Sequence, residues 1–61
     1  MPFVNIKVAG TLTKKQKEDI AAGVTKLLFE IAGKPPAVTY IAFEELYHEN
    51  WAVGGKLLTK D

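Results

Sequence analysis

The chain contains no cysteine and no arginine, and it has a single histidine. Without cysteine there is no disulfide framework, and one imidazole cannot build a metal cage, so the usual staples of a small domain are missing. All eight basic residues are lysines, which removes the planar two-pronged donor that arginine offers to carboxylates and phosphates. No apolar run approaches membrane-spanning length, and no secretory leader is visible, so the expected location is the cytoplasm. A net charge of +1 gives no electrostatic footprint for nucleic acid or for a membrane surface.

What is present is an excess of apolar surface. The chain has 61 residues, which is one small domain, yet 48% of them are hydrophobic and six are aromatic. A chain this short hides only about 60% of its unfolded surface, and its core rarely supplies more than ~3–5 kcal/mol. With disulfides and metals excluded, association with other chains is the remaining source of stability, and an obligate oligomer is expected.

The pattern along the chain is that of a short α/β (α+β) unit. Residues 2–8 alternate, with Val4, Ile6 and Val8 on one side and Phe3, Asn5 and Lys7 on the other, which predicts a strand with two unlike faces. Gly10 is the expected turning point of the connection that follows. Thr13 and Gln16 have the spacing of a capping box, and Ile20, Val24, Leu27, Leu28 and Ile31 recur at helical intervals. Gly33 is placed to end the helix and Pro35-Pro36 forbid its continuation, giving a helix over 14–32.

Residues 38–46 are rich in β-branched and aromatic side chains and read as a second strand. Strand, long helix and strand with short links form a β-α-β unit, whose crossover is expected to be right-handed and whose strands are expected to be parallel. One sheet face then lies under the helix, and a neighbouring subunit must cover the other. Residues 47–50 read as a polar loop, and 51–58 as a small hairpin around Gly54-Gly55, suited to adding edge strands to another chain.

Pro2 is the residue with chemistry to offer. If Met1 is removed, Pro2 becomes a free secondary amine at the start of a strand. An α-amino group titrates near ~7.7–8.0, and apolar surroundings lower that value by disfavouring the charged form. A drop of about one unit costs ~1.4 kcal/mol and leaves much of the amine neutral near pH 7, where a general base works best. The plainer alternative is a proline that stiffens the start of an edge strand.

The opening Met-Pro-Phe-Val-Asn-Ile-Lys-Val, the Lys-Gln-Lys helix start with Gly-Val-Thr inside it, and Asn50-Trp51-Ala52-Val53-Gly54-Gly55-Lys56 together resemble the 4-oxalocrotonate tautomerase family. The likeness runs over nearly the whole chain, in order and without large gaps. It implies a single tautomerase-like domain over 1–61, a protomer that pairs into dimers, and a homohexamer built as a trimer of dimers. It further implies that Met1 is processed off and that Pro2 is the catalytic base. The family's activity is keto-enol isomerisation of small enol or keto acids such as 2-hydroxymuconate, an intermediate of aromatic degradation, with no metal or organic cofactor.

Family members hold the substrate carboxylates with two arginines, and these positions align with Leu12 and Tyr40. The base and the apolar wall, which aligns with Trp51, are thus retained while both anion clamps are absent. The resemblance points to an enol or keto form of an unsaturated or aryl α-keto acid as substrate. Tyr40 either donates its hydroxyl to a substrate oxygen or packs between protomers, and Leu12 narrows the pocket mouth. A chain without clamps also suits the alternative of a non-catalytic partner in a mixed hexamer. Hydration or dehalogenation of an unsaturated acid would need a further carboxylate to activate water, and no glutamate is suitably placed.

The remaining charged residues have ordinary readings beside the sharper ones. Lys14, Lys15 and Lys17 crowd a helix start, where a solvated face supported by Lys14–Glu18 and Lys15–Asp19 spacing competes with a substitute anion site. Lys7 and Lys34 are further cations with a solvated reading, and His48 is expected at the surface. Glu44 and Glu45 fall on opposite sheet faces and do not form a carboxylate pair. A ribbon-type DNA-binding dimer fails, because the strand that would enter the groove carries only Lys7 and there is no second helix.

Overall fold

The computed structural model describes residues 1–58. The last three residues of the expected 1–61 domain lie outside the described ones. Strand β1 (Phe3–Ala9) is followed by the 19-residue helix α1 (Lys14–Ala32), a 3-10 turn at Pro36–Val38, and strand β2 (Tyr40–Leu46). A second 3-10 turn at His48–Asn50 leads to the short strands β3 (Ala52–Val53) and β4 (Lys56–Leu57). β1 and β2 pair in parallel from Phe3↔Tyr40 to Ala9↔Leu46, and β3 and β4 form a separate antiparallel hairpin.

The ends of α1 follow from local chemistry. Thr13 is the cap: its hydroxyl oxygen accepts from the Gln16 N–H at 3.1 Å, while Gln16 Oε1 accepts from the Thr13 N–H at 2.9 Å. Two donors that the first turn leaves orphaned are satisfied reciprocally. At the other end Gly33 adopts φ +67°, and its N–H reaches the Phe29 carbonyl at 2.9 Å. A side chain would resist that left-handed conformation. The helix over 14–32 therefore stands as read from the sequence.

Strand boundaries shift slightly. β2 begins at Tyr40 and not at Val38, because Pro36 opens a 3-10 turn whose carbonyl accepts from the Thr39 N–H at 3.2 Å. Pro2 precedes β1 but contributes its carbonyl, which accepts from the Tyr40 N–H at 3.0 Å. Residues 47–50 form a 3-10 turn where a polar loop was expected. Gly54 and Gly55 both have positive φ, the requirement of a two-residue hairpin turn that matches strand twist.

Alternation along β1 is complete: Val4, Ile6 and Val8 are half-buried while Phe3, Asn5, Lys7 and Ala9 are exposed. Their partners continue the division, so Val4, Ile6, Ile41 and Phe43 form the covered face, and Phe3, Asn5, Lys7, Tyr40 and Ala42 the open one. The half-buried stripe of α1, namely Ile20, Ala21, Val24, Thr25 and Leu28, has the spacing of a helix laid on that covered face. Leu27 and Ile31, expected in the same apolar set, are exposed, Ile31 by 81%.

Among the described residues none is fully buried. Phe3 is 64% exposed and Tyr40 56%, side by side on the open face. Covering side chains of this kind contributes ~1.5–3 kcal/mol each. The open sheet face thus matches the expectation of one-sided cover. No helix of the described residues is long and apolar enough to cross a membrane.

Candidate active site

Four residues were singled out from the sequence, and the protomer separates them into two pairs. Pro2 and Tyr40 stand together at the start of the sheet, joined by the 3.0 Å bond from the Tyr40 N–H to the Pro2 carbonyl. The carbonyl alone makes this contact; the Pro2 nitrogen, which carries no N–H in the Met1–Pro2 peptide, takes no part in it. Pro2 is half-buried, and Met1 before it is 84% exposed.

Leu12 and Trp51 belong to the opposite end. Leu12 follows Gly10, whose N–H donates to the Leu46 carbonyl at 2.7 Å, the last link of the parallel pairing. Trp51 is tied to the same end through its N–H, which donates to the His48 carbonyl at 3.1 Å. His48 in turn packs against Gly10: a Cβ placed on Gly10 would lie 3.3 Å from His48 Cε1. Seven strand residues at ~3.3 Å each put roughly 20 Å between the two ends.

Trp51 is half-buried, and its indole N–H is shielded from solvent with no acceptor among the described residues. His48, expected at the surface, is half-buried for the same reason that Gly10 is a glycine. At φ +95° the Gly10 backbone turns close beneath the imidazole.

The electrostatics of the Leu12 end were not apparent from sequence. Glu45 bridges two elements: Oε2 accepts from the Leu12 N–H at 2.7 Å, and Oε1 accepts from Lys17 Nζ at 2.8 Å. The Lys17 hydrogen bond and then the Leu12 N–H hold the Glu45 carboxyl below its ordinary value, against partial burial that raises it. A clue was available, since Glu45 continues the covered-face series Ile41, Phe43 and calls for a partner from the helix above.

Three further ion pairs form among the described residues. Lys15 and Asp19 meet at 3.0 Å and Lys26 and Glu30 at 4.0 Å, each one helical turn apart. Lys7 meets its cross-strand partner Glu44 at 3.6 Å on the open face, so Glu44 and Glu45 do diverge. The Lys14–Glu18 pair is not formed. Among the described residues no three histidine, aspartate or glutamate side chains converge in a way that could hold a metal ion.

Residues 2–61 match the family model described as "Tautomerase enzyme". The chain belongs to the tautomerase family. A probable tautomerase K2 of Dickeya dadantii is 43% identical over 61 residues, an alignment that spans 98% of this tautomerase and 91% of the relative. The crystal structure of DmpI from Helicobacter pylori superposes with a TM-score of 0.87 at 28% identity, covering 93% of this chain and 90% of that one. YwhB, a homologue of 4-oxalocrotonate tautomerase, gives 0.86 at 30% identity, with 93% of each chain covered. The tautomerase is thus of the 4-oxalocrotonate type in sequence and in fold, and isomerase activity is the function its family carries.

Proposed function

We propose that this tautomerase interconverts the enol and keto forms of an unsaturated or aryl α-keto acid, with the amine of Pro2 as the base. The observation that supports this reading is that Pro2 is tied to β2 through its carbonyl, a contact in which the nitrogen takes no part. Once the exposed Met1 is removed, that nitrogen has a lone pair. It takes the proton of the enol hydroxyl, the electron pair moves through the conjugated system, and the same nitrogen returns the proton to carbon. Microscopic reversibility makes it the acid in one half-step and the base in the other.

The site is completed by a second copy. The free edge of β1 suits two-fold pairing with another β1, since parallel pairing with β2 uses only one edge. Antiparallel edges bring the Pro2 end of one chain to the Leu12 and Trp51 end of its partner. Trp51 then shields the amine from water, Leu12 narrows the mouth, and the Tyr40 hydroxyl or a backbone N–H steadies the developing oxyanion. Dimers that cover their open sheet faces by further association give the homohexamer.

Enolisation of phenylpyruvate tests the reading. Wild-type chain lacking Met1 is expected to accelerate it, and Pro2→Ala to lose that acceleration. The absence of arginine at Leu12 and Tyr40 favours a second reading, a non-catalytic subunit of a mixed oligomer. A chain that stays monomeric when expressed alone, and does not act on phenylpyruvate, would favour that one.

A further inference from the structure

Glu45 sits where the loop after β1, the strand β2 and the start of α1 meet. Its two carboxylate oxygens are both engaged, one by the Leu12 N–H and one by Lys17 Nζ. These contacts do two separate things. The first fixes the backbone of Leu12, a residue with no side-chain polarity of its own. The second cancels the charge of Lys17, whose side chain is 35% exposed beside a Glu45 side chain that is 27% exposed. The pair lies at the surface and is partly screened by solvent, so the effect on a nearby ligand is modest and carries a sign more than a size.

The other lysines of the helix start do not replace it. Lys15 is paired with Asp19 at 3.0 Å, and Lys14 is exposed to solvent. The Gln16 side chain is held by the Thr13 cap, where its Oε1 accepts from the Thr13 N–H. Of the three lysines at the helix start, Lys15 and Lys17 are thus charge-paired, and Lys14 projects into solvent.

We propose that Glu45 is a specificity-determining residue: by holding Leu12 in place and silencing Lys17, it selects substrates that present an apolar group at this mouth and rejects those that present a second carboxylate. The substrate class is an enol or keto acid with one carboxylate and an aryl or alkyl substituent. This rests on the placement of Leu12 in the active site proposed above. Glu45→Gln retains a carbonyl acceptor for the Leu12 N–H but frees the Lys17 charge, so the apolar preference should give way to tolerance of a dianion. Lys17→Met has the reverse sense, because it leaves the Glu45 carboxylate uncompensated at the mouth.

The test measures binding of two unreactive acids, cinnamate as monoanion and cis,cis-muconate as dianion, followed through the amide signals of Leu12 and Lys17. Wild type should bind cinnamate more tightly. Glu45→Gln should shift the ratio toward muconate by about two- to fivefold, the effect of releasing one partly screened surface charge. Lys17→Met should shift it the other way. Unchanged ratios in folded variants, or a wild type that already prefers muconate, would overturn the proposal. Should Glu45→Gln fail to fold, Lys17→Met decides alone by the direction of its ratio. Turnover of phenylpyruvate by the same wild-type sample is read separately, so loss of the tautomerase reading and loss of the selectivity proposal give different results.

Discussion

The Tyr40 N–H donates to the Pro2 carbonyl at 3.0 Å, so Pro2 is held to the second strand by a group that the proposed chemistry does not need. This arrangement fixes the ring while leaving the nitrogen unoccupied by pairing. Pro2→Ala keeps the carbonyl and hence the anchoring bond, but replaces a secondary amine by a primary one. We expect kcat for phenylpyruvate enolisation to fall by roughly 10²-fold, with the far-ultraviolet spectrum and assembly size unchanged.

The open face of the sheet gives a prediction about assembly. Ala42 sits opposite Asn5 in the register, on the same face as Phe3 and Tyr40. A lysine at Ala42 would place a charge in the surface that association must cover, where desolvation disfavours it. Ala42→Lys is expected to reduce the assembly to smaller species in sedimentation velocity at micromolar concentration, with loss of helical signal on dilution.

Gly10 is required twice, by its φ of +95° and by the imidazole of His48 that would meet an added Cβ at 3.3 Å. Gly10→Ala should destabilise the fold by about 1–2 kcal/mol, read from the shift of the urea midpoint at unchanged slope. The same change in a His48→Ala background should cost less, because only the backbone contribution remains.

Acidification should act through Glu45. Its carboxyl is held below the ordinary value by the Lys17 hydrogen bond first and the Leu12 N–H second. The group therefore contributes stability that is fully present above its unfolded-state value, near ~4.3, and that is lost as pH falls through the lower folded value. Urea midpoints measured across that window should fall more steeply for wild type than for Glu45→Gln. Equal pH dependence would show that this carboxylate has no linkage to folding.

The helix was legible to the residue, because a capping box and a glycine before two prolines are local signals that need no tertiary context. The parallel sheet was legible from element order, and its open face from the alternation of β1. The 3-10 turn at Pro36–Val38 was not, since Val38 and Thr39 have strand propensity that the preceding prolines override. His48 read as a surface residue because its partner, Gly10, is distant in sequence and contributes only backbone. Lys17 read as one more solvated lysine, because its partner lies 28 positions further along the chain. For the proposed site, the distance between Pro2 and Trp51 within one protomer was not legible, because strand length fixes it only after the register is known.

In the proposed mechanism the Pro2 nitrogen is a free amine, much of it neutral near pH 7. Protein labelled with ¹⁵N at proline allows that atom to be followed directly while pH is varied. A titrating secondary amine is expected, with a midpoint about one unit below the ordinary α-amino range of ~7.7–8.0. A Pro2 nitrogen that shows the shift of an amide at every pH, or that titrates at or above the ordinary range, would contradict it.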